Sequence, residues 1–223
     1  QQANGFFASR LARLWQDIHW GSLLFLSPLW PLALTYPQLL EEWELRVIHK
    51  GESARVVEKQ LFGVRLLKIA EALVQVWHLP IWVSQGYKLL LAEQRLLVKA
   101  LHIARQDDAL RHQQLLDAEP NLRRWLNQPA NTVLLANGLA MSAQESWTCP
   151  HTERWQYLTA LYLQTPLSDV QQQAHQQAVT SARTTLMPDL WHPALSLIWP
   201  WHVQKVHRGL LPAPPPTAEA LAV

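Results

Sequence analysis

The sequence has very little cysteine. Cys149 is the single thiol among 223 residues, so the chain lacks a second thiol for an internal disulfide and a set of thiolates for a Cys-based zinc site. A chain without disulfides suits a reducing compartment, and we expect a cytoplasmic location. Cys149 precedes Pro150 at a predicted helix start, with no nucleophile motif around it. We therefore interpret it as a structural residue.

Glycine and charged residues are also scarce. There are 7 glycines and 16% charged residues, against 49% apolar residues and 41 leucines, whereas an average soluble domain is about 25% charged. Few glycines together with many leucines, alanines and glutamines favour helices over sheet. The length allows one large domain or two small ones, each with a substantial core. The composition predicts an all-α fold and leaves the function open.

The motifs of common enzymes are missing. No two glycines have the spacing of a dinucleotide fingerprint or a phosphate-binding loop, and neither G-x-S-x-G nor H-E-x-x-H occurs. None of the 10 histidines is followed by Asp, lies next to another His, or has a second His four residues away. We therefore expect no catalytic residue, no metal and no cofactor.

Basic residues are too dispersed for nucleic-acid binding. The net charge is +2, and the densest basic spots are the pairs Arg10/Arg13 and Arg123/Arg124. Nucleic-acid affinity depends on neutralising many phosphates, which needs a broader basic surface than a pair of arginines on one helix face. We expect no nucleic-acid partner.

One long stretch carries no charge. From residue 18 to residue 40 there is no Asp, Glu, Lys or Arg, and the part 20–36 is long enough to cross a bilayer. Three prolines interrupt the stretch, which favours short buried helices joined by a turn over one lipid-facing helix. Membrane association through 20–36 and the apolar segment 190–201 stays open as the alternative.

Hydrophobic periodicity predicts a succession of helices. Helices are expected over 6–17, 38–49, 53–62, 64–77, 81–91 and 93–105, then over 121–127, 131–147, 151–163 and 167–186. The polar stretch 106–120 is predicted to be a linker, and the proline-rich end 205–223 a disordered tail. This divides the chain into a helical domain at 1–105 and a C-terminal helical region at 121–204.

A motif of known type lies at 58–90. Its elements are a glutamate, a glycine before a long apolar helix, a tryptophan at the end of that helix, and a Leu-Pro pair before the next one, namely Glu58, Gly63, Trp77 and Leu79-Pro80. The run resembles the HDOD family, the HD-related output domain of bacterial signalling proteins. The resemblance implies a multi-helical HD-like bundle.

The resemblance extends over residues 6–101, and 22–34 occupies the place of the family's LLHDIG-like segment. It implies that the chain holds the C-terminal part of such a domain, with the earlier helices preceding Gln1. A weaker similarity links 131–183 to helical extensions that follow this domain in some signalling proteins.

The chain departs from the family pattern where chemistry would be expected. In place of the metal-binding His-Asp doublet of HD-type phosphohydrolases it has Leu26-Ser27 or their neighbours, and in place of a later His pair it has Tyr87 and Lys88 followed by two leucines. Metal-assisted hydrolysis needs several converging imidazole and carboxylate ligands. The resemblance therefore implies a scaffold that has lost its metal site.

These observations predict a non-catalytic regulatory module that acts through contacts with a protein partner or with an upstream signalling domain of the same chain. Tryptophan is enriched at binding hot spots, and Trp191, Trp199 and Trp201 are the candidate anchors. A role for these three residues in the core or in docking the chain end is the open alternative. A phosphohydrolase with a rearranged metal site is kept as the third hypothesis.

Overall fold

The computed structural model describes residues 2–91, 95–106, 109–184 and 192–198. Every regular element in these ranges is a helix, and none of the described residues forms a β-strand. The prediction of an all-α, multi-helical bundle is therefore confirmed.

The first part of the chain contains long and very short helices. Helix α1 is followed by a 3₁₀ turn at Ser27–Leu29, and α3 continues into a π-helical turn at Leu45–His49. The α-helices up to the gap at 92–94 are α1 Gln2–Leu24, α2 Trp30–Thr35, α3 Pro37–Glu44, α4 Ala54–Phe62, α5 Leu66–Val76 and α6 Ile81–Leu91.

The described residues from 95 onward form seven further α-helices. These helices are α7 Arg95–Ala104, α8 Ala109–Asp117, α9 Pro120–Leu126, α10 Asn131–Ala143, α11 Pro150–Leu163, α12 Leu167–Thr184 and α13 Leu195–Ile198.

Local backbone signals set several helix ends. Gly63 ends α4 in the left-handed conformation (φ 73°), which glycine adopts without steric cost. Its N–H donates to the Lys59 carbonyl oxygen at 3.1 Å. His78 also has a positive φ of 52°, and α6 starts directly after the Leu79-Pro80 pair. At α11, the buried Cys149 sulfur accepts from the Thr152 N–H at 3.5 Å. These ends are where the sequence predicts them.

The first core joins α5, α6 and α10 with the residues that follow α1. We call this cluster the first core; it consists of Phe25, Ala70, Val74, Val83, Tyr87, Val133 and Leu134. Gly21 lets α1 approach this core closely, because a Cβ at that position would lie 3.0 Å from a Val133 methyl group. The first core therefore includes residues from both sides of the predicted linker.

The second core is built by α7 to α11. Its buried members are Ala100, Ile103, Leu116, Leu122, Trp125, Leu135, Leu158 and Leu161. Leu89 and Trp155 pack against both cores and connect them.

The predicted linker at 106–120 contains a complete helix of nine residues. Helix α8 spans Ala109–Asp117, and its residue Leu116 is buried in the second core. An ion pair between Lys99 and Glu119, 2.6 Å between Nζ and Oε1, fixes α7 to the start of α9. The hydrophobic periodicity missed α8 because the helix has only nine residues and five of them are polar. The division into regions 1–105 and 121–204 stays a prediction, although both cores contain residues from either region.

The expectation that 18–40 forms short buried helices is wrong in part. The segment begins inside α1, a helix of 23 residues, and only Gly21, Phe25, Ser27 and Pro28 are buried within it. Five other large apolar side chains of the segment are more than half exposed, namely Trp20, Leu23, Trp30, Leu34 and Tyr36. The reason is that α1 packs on α6 and α10 with one face only.

In the part of the chain that the structure describes, no single helix has the length and hydropathy of a membrane span. One pair, Ala12–Thr35 and Pro37–His49, meets both criteria together across a bend of 110°.

Candidate functional site

The two segments in which the resemblance places the metal ligands, 22–34 and 79–90, meet in the first core. The contact is a stack of Phe25 on Tyr87, with ring centroids 4.9 Å apart and planes inclined by 15°. The Tyr87 hydroxyl donates to the Phe25 backbone carbonyl oxygen at 2.7 Å. We call this arrangement the aromatic pair.

A glycine in α6 allows the two rings to approach. A Cβ added to Gly86 would lie 2.6 Å from Cε2 of Phe25, closer than carbon atoms can pack. Phe25 thus lies directly over the backbone of α6, in space that any other residue at position 86 would occupy. Gly86 is helical, so the close approach, not a turn, explains the absence of a side chain.

The Tyr87 phenol is held in its neutral form. The side chain is 2% exposed, and burial raises the pKa of Tyr87 to about 12 because the phenolate would lose its hydration. With its proton directed at the Phe25 carbonyl, the phenol is a hydrogen-bond donor at physiological pH. Its role in this arrangement is to tie α6 to the end of α1.

The walls around the aromatic pair are apolar. Ala70 and Val74 from α5 and Val133 and Leu134 from α10 complete the first core. Ser27 is buried as well, but its hydroxyl donates a hydrogen bond to the Leu24 carbonyl oxygen at 2.8 Å. This hydroxyl therefore has its hydrogen-bond partner within the preceding turn. The atoms that converge here are ring carbons, methyl groups and backbone carbonyls.

The residues singled out by the resemblance are divided between interior and surface. Leu26 packs against the first core, whereas Lys88, next to Tyr87, is exposed. Glu58 is buried in α4, where its Oε2 lies 3.7 Å from Nε of Arg65 across the Gly63 turn. This carboxylate therefore has a local basic partner. Across the described residues, no group of three or more His, Cys, Asp or Glu side chains could hold a metal ion.

The predicted anchor residues Trp191, Trp199 and Trp201 lie outside the described residues. Between them, the segment 192–198 contacts α12 and the turn between α10 and α11. The His192 ring nitrogen Nε2 lies 3.4 Å from the Ser181 hydroxyl of α12. The Trp147 indole N–H donates to the Pro193 carbonyl oxygen at 2.9 Å, and its ring meets His175 edge to face at 4.6 Å. Burial lowers the pKa of His175, which favours the neutral ring beside Trp147.

Sequence reasoning missed the partner of Tyr87. The two residues of the hydrogen bond are 62 positions apart, so no local pattern pairs them. One signal was present: Gly86 within a predicted helix indicates a close approach of another element. It does not say which element approaches.

Alkaline pH should test the buried phenol. An unfolded chain ionises Tyr87 near its ordinary pKa of 10.0, whereas the folded chain keeps the proton until about pH 12. We therefore expect the free energy of unfolding to fall as pH rises from about 10 to about 12, with a smaller fall in Tyr87→Phe. Urea unfolding at several alkaline pH values measures this. Tyr36→Phe, at an exposed tyrosine, is the matched control; equal alkaline losses in Tyr87→Phe and wild type would contradict the assignment.

Comparison with protein-family models, with curated proteins and with solved structures finds no match for this chain. The resemblance to the HDOD family, carried by the motif at 58–90, therefore stays a prediction from the sequence.

Proposed function

We propose that the protein is a non-catalytic regulatory module of bacterial signal transduction that acts in the cytoplasm through contacts with other proteins or domains. Its scaffold is that of an HDOD domain whose ancestral metal site has been lost. The observation that supports this best is the aromatic pair, which joins the two segments where the resemblance would place metal ligands.

The chemistry of the aromatic pair supports a loss of hydrolytic function. A hydrolytic metal site needs imidazole or carboxylate ligands and an open position for water. Phe25 offers ring carbons, and the Tyr87 phenol is protonated and already bonded to a backbone carbonyl. Since Tyr87 is 2% exposed, water has no direct access to it. The aromatic pair thus contributes packing energy at the place where HD-type phosphohydrolases would hold a metal ion.

Function through contacts is supported by the tryptophan content. The chain has 12 tryptophans, and three of them, Trp191, Trp199 and Trp201, lie close together near its C-terminal end. Exposed indoles supply large contact areas and are enriched at binding hot spots. The partner on this proposal is a signalling protein or an upstream domain of the same chain, with Trp191, Trp199 and Trp201 as the proposed anchors.

Partner capture from a bacterial lysate tests the proposal. The full chain is compared with a variant carrying Trp191→Ala, Trp199→Ala and Trp201→Ala together, and with Trp77→Ala as the control. We expect the full chain and the control to retain a stoichiometric protein partner and the triple variant to bind it at least about tenfold more weakly, since hot-spot residues contribute about 2 kcal/mol or more.

Two outcomes would contradict parts of this proposal. Equal capture by the triple variant would remove the three C-terminal tryptophans as anchors. A full chain that retains no protein, but hydrolyses a phosphate ester in a metal-dependent manner, would replace the regulatory module with the rearranged phosphohydrolase.

A further inference from the structure

The outer side of α1 and α2 is an unusually apolar surface. We call it the outer α1–α2 face; it consists of Trp15, Trp20, Leu23, Trp30, Leu34 and Tyr36. Each of these side chains is more than half exposed, and Leu34 reaches 83%. Single exposed apolar residues are ordinary on protein surfaces, whereas large contiguous apolar patches are characteristic of interaction sites.

Within α1, the exposed side chains of this face lie next to one another. Trp15, His19 and Leu23 recur at four-residue spacing and so lie along one row of the helix. The Trp15 and His19 rings stack with centroids 5.3 Å apart, and His19 meets Trp20 edge to face at 6.1 Å. The opposite side of α1 is occupied by packing, because it carries Gly21 toward Val133. The aromatic row therefore points away from the fold.

Formal charge is absent from most of this surface. None of the residues from 18 to 40 is charged, so from Trp20 to Tyr36 the face offers no ionic partner to a charged protein surface. Near Trp15, Arg13 and Asp17 are exposed. The acidic residues that follow, Glu41 and Glu42, belong to α3, which turns away at the 110° bend after Thr35. At the opposite end of the face, near Trp15, the exposed side chain of Arg13 is available to pair with a phosphate group.

We infer that the outer α1–α2 face binds the interface of a lipid bilayer. Tryptophan and tyrosine prefer the headgroup level, where an apolar ring and a polar N–H or O–H are both accommodated. Leu23 and Leu34 would enter the acyl boundary, as the apolar side of an interfacial helix does.

Vesicle sedimentation with the full chain tests this inference. The probes are vesicles of phosphatidylcholine alone and of phosphatidylcholine with phosphatidylglycerol. We expect the protein to sediment with both kinds, and the double variant Trp20→Ser, Leu34→Ser to bind at least about tenfold more weakly, because two large apolar side chains no longer leave water. Val98→Ser on α7, at an equally exposed apolar side chain, should bind like the wild type.

Other outcomes would overturn the inference. One is that the wild-type protein does not sediment with vesicles even at about millimolar lipid. Another is that Val98→Ser weakens vesicle binding as much as the double variant does. A third is that the double variant still binds the anionic vesicles as tightly as the wild type. A dimer that dissociates in the double variant, without vesicle binding, would identify the face as a contact between copies of the chain. All variants change exposed side chains, and unchanged melting temperatures verify that they fold.

Discussion

Replacing Phe25 with alanine is expected to lower the free energy of unfolding by about 3–5 kcal/mol, as loss of a buried phenylalanine ring does. The ring is 5% exposed and stacks on Tyr87. It also covers Gly86, which has no side chain to move into the space. The cavity left by Phe25→Ala would therefore remain largely unfilled, which places the cost toward the upper end of this range.

Denaturant unfolding followed by circular dichroism measures this change. Leu34→Ala is the control, since an exposed apolar residue should alter stability by no more than about 0.5 kcal/mol. A loss of less than about 1 kcal/mol in Phe25→Ala would mean that the ring does not lie in the core.

The sequence predicted the parts of the fold that depend on the local backbone. Gly63, Pro80 and Pro150 mark helix boundaries because glycine allows a left-handed residue and proline restricts the residues beside it. The structure has boundaries at all three. Such signals act over a few residues and do not depend on the rest of the chain.

Burial was harder to predict, because it depends on which elements come together. The uncharged stretch 18–40 suggested a buried segment, yet α1 has one packed face and one free face among the described elements. Trp77, at the end of the apolar helix of the motif, is 43% exposed, whereas Trp125 is 3% exposed. Composition does not distinguish a tryptophan that fills a core from one that faces outward.

The candidate site was also predictable only in part from the sequence. The sequence marked Tyr87 and the segment 22–34 through the resemblance, and the structure brings them into contact. The sequence did not identify Phe25 as the residue that stacks on Tyr87, because this contact depends on how α1 and α6 cross. The apolar walls from α10 lie still further away in the sequence, at Val133 and Leu134.

The absence of a resident metal is the second large expectation, and it follows from the donor atoms in the first core. Stacked rings and a protonated phenol present no lone pair suited to a divalent cation, apart from backbone carbonyls that are already in use. We expect the purified full chain, dialysed without a chelator, to contain well below about one tenth of an equivalent of Mn, Fe, Co, Ni or Zn.

Elemental analysis of the full chain, together with that of Phe25→Ala, Tyr87→Phe and His151→Ala, is the most direct test of this account. His151, an exposed histidine, is the control for metal held at the surface. We expect the same trace metal content in all four proteins. About one equivalent of a transition metal in the wild type, kept in His151→Ala and lost in Tyr87→Phe, would contradict it.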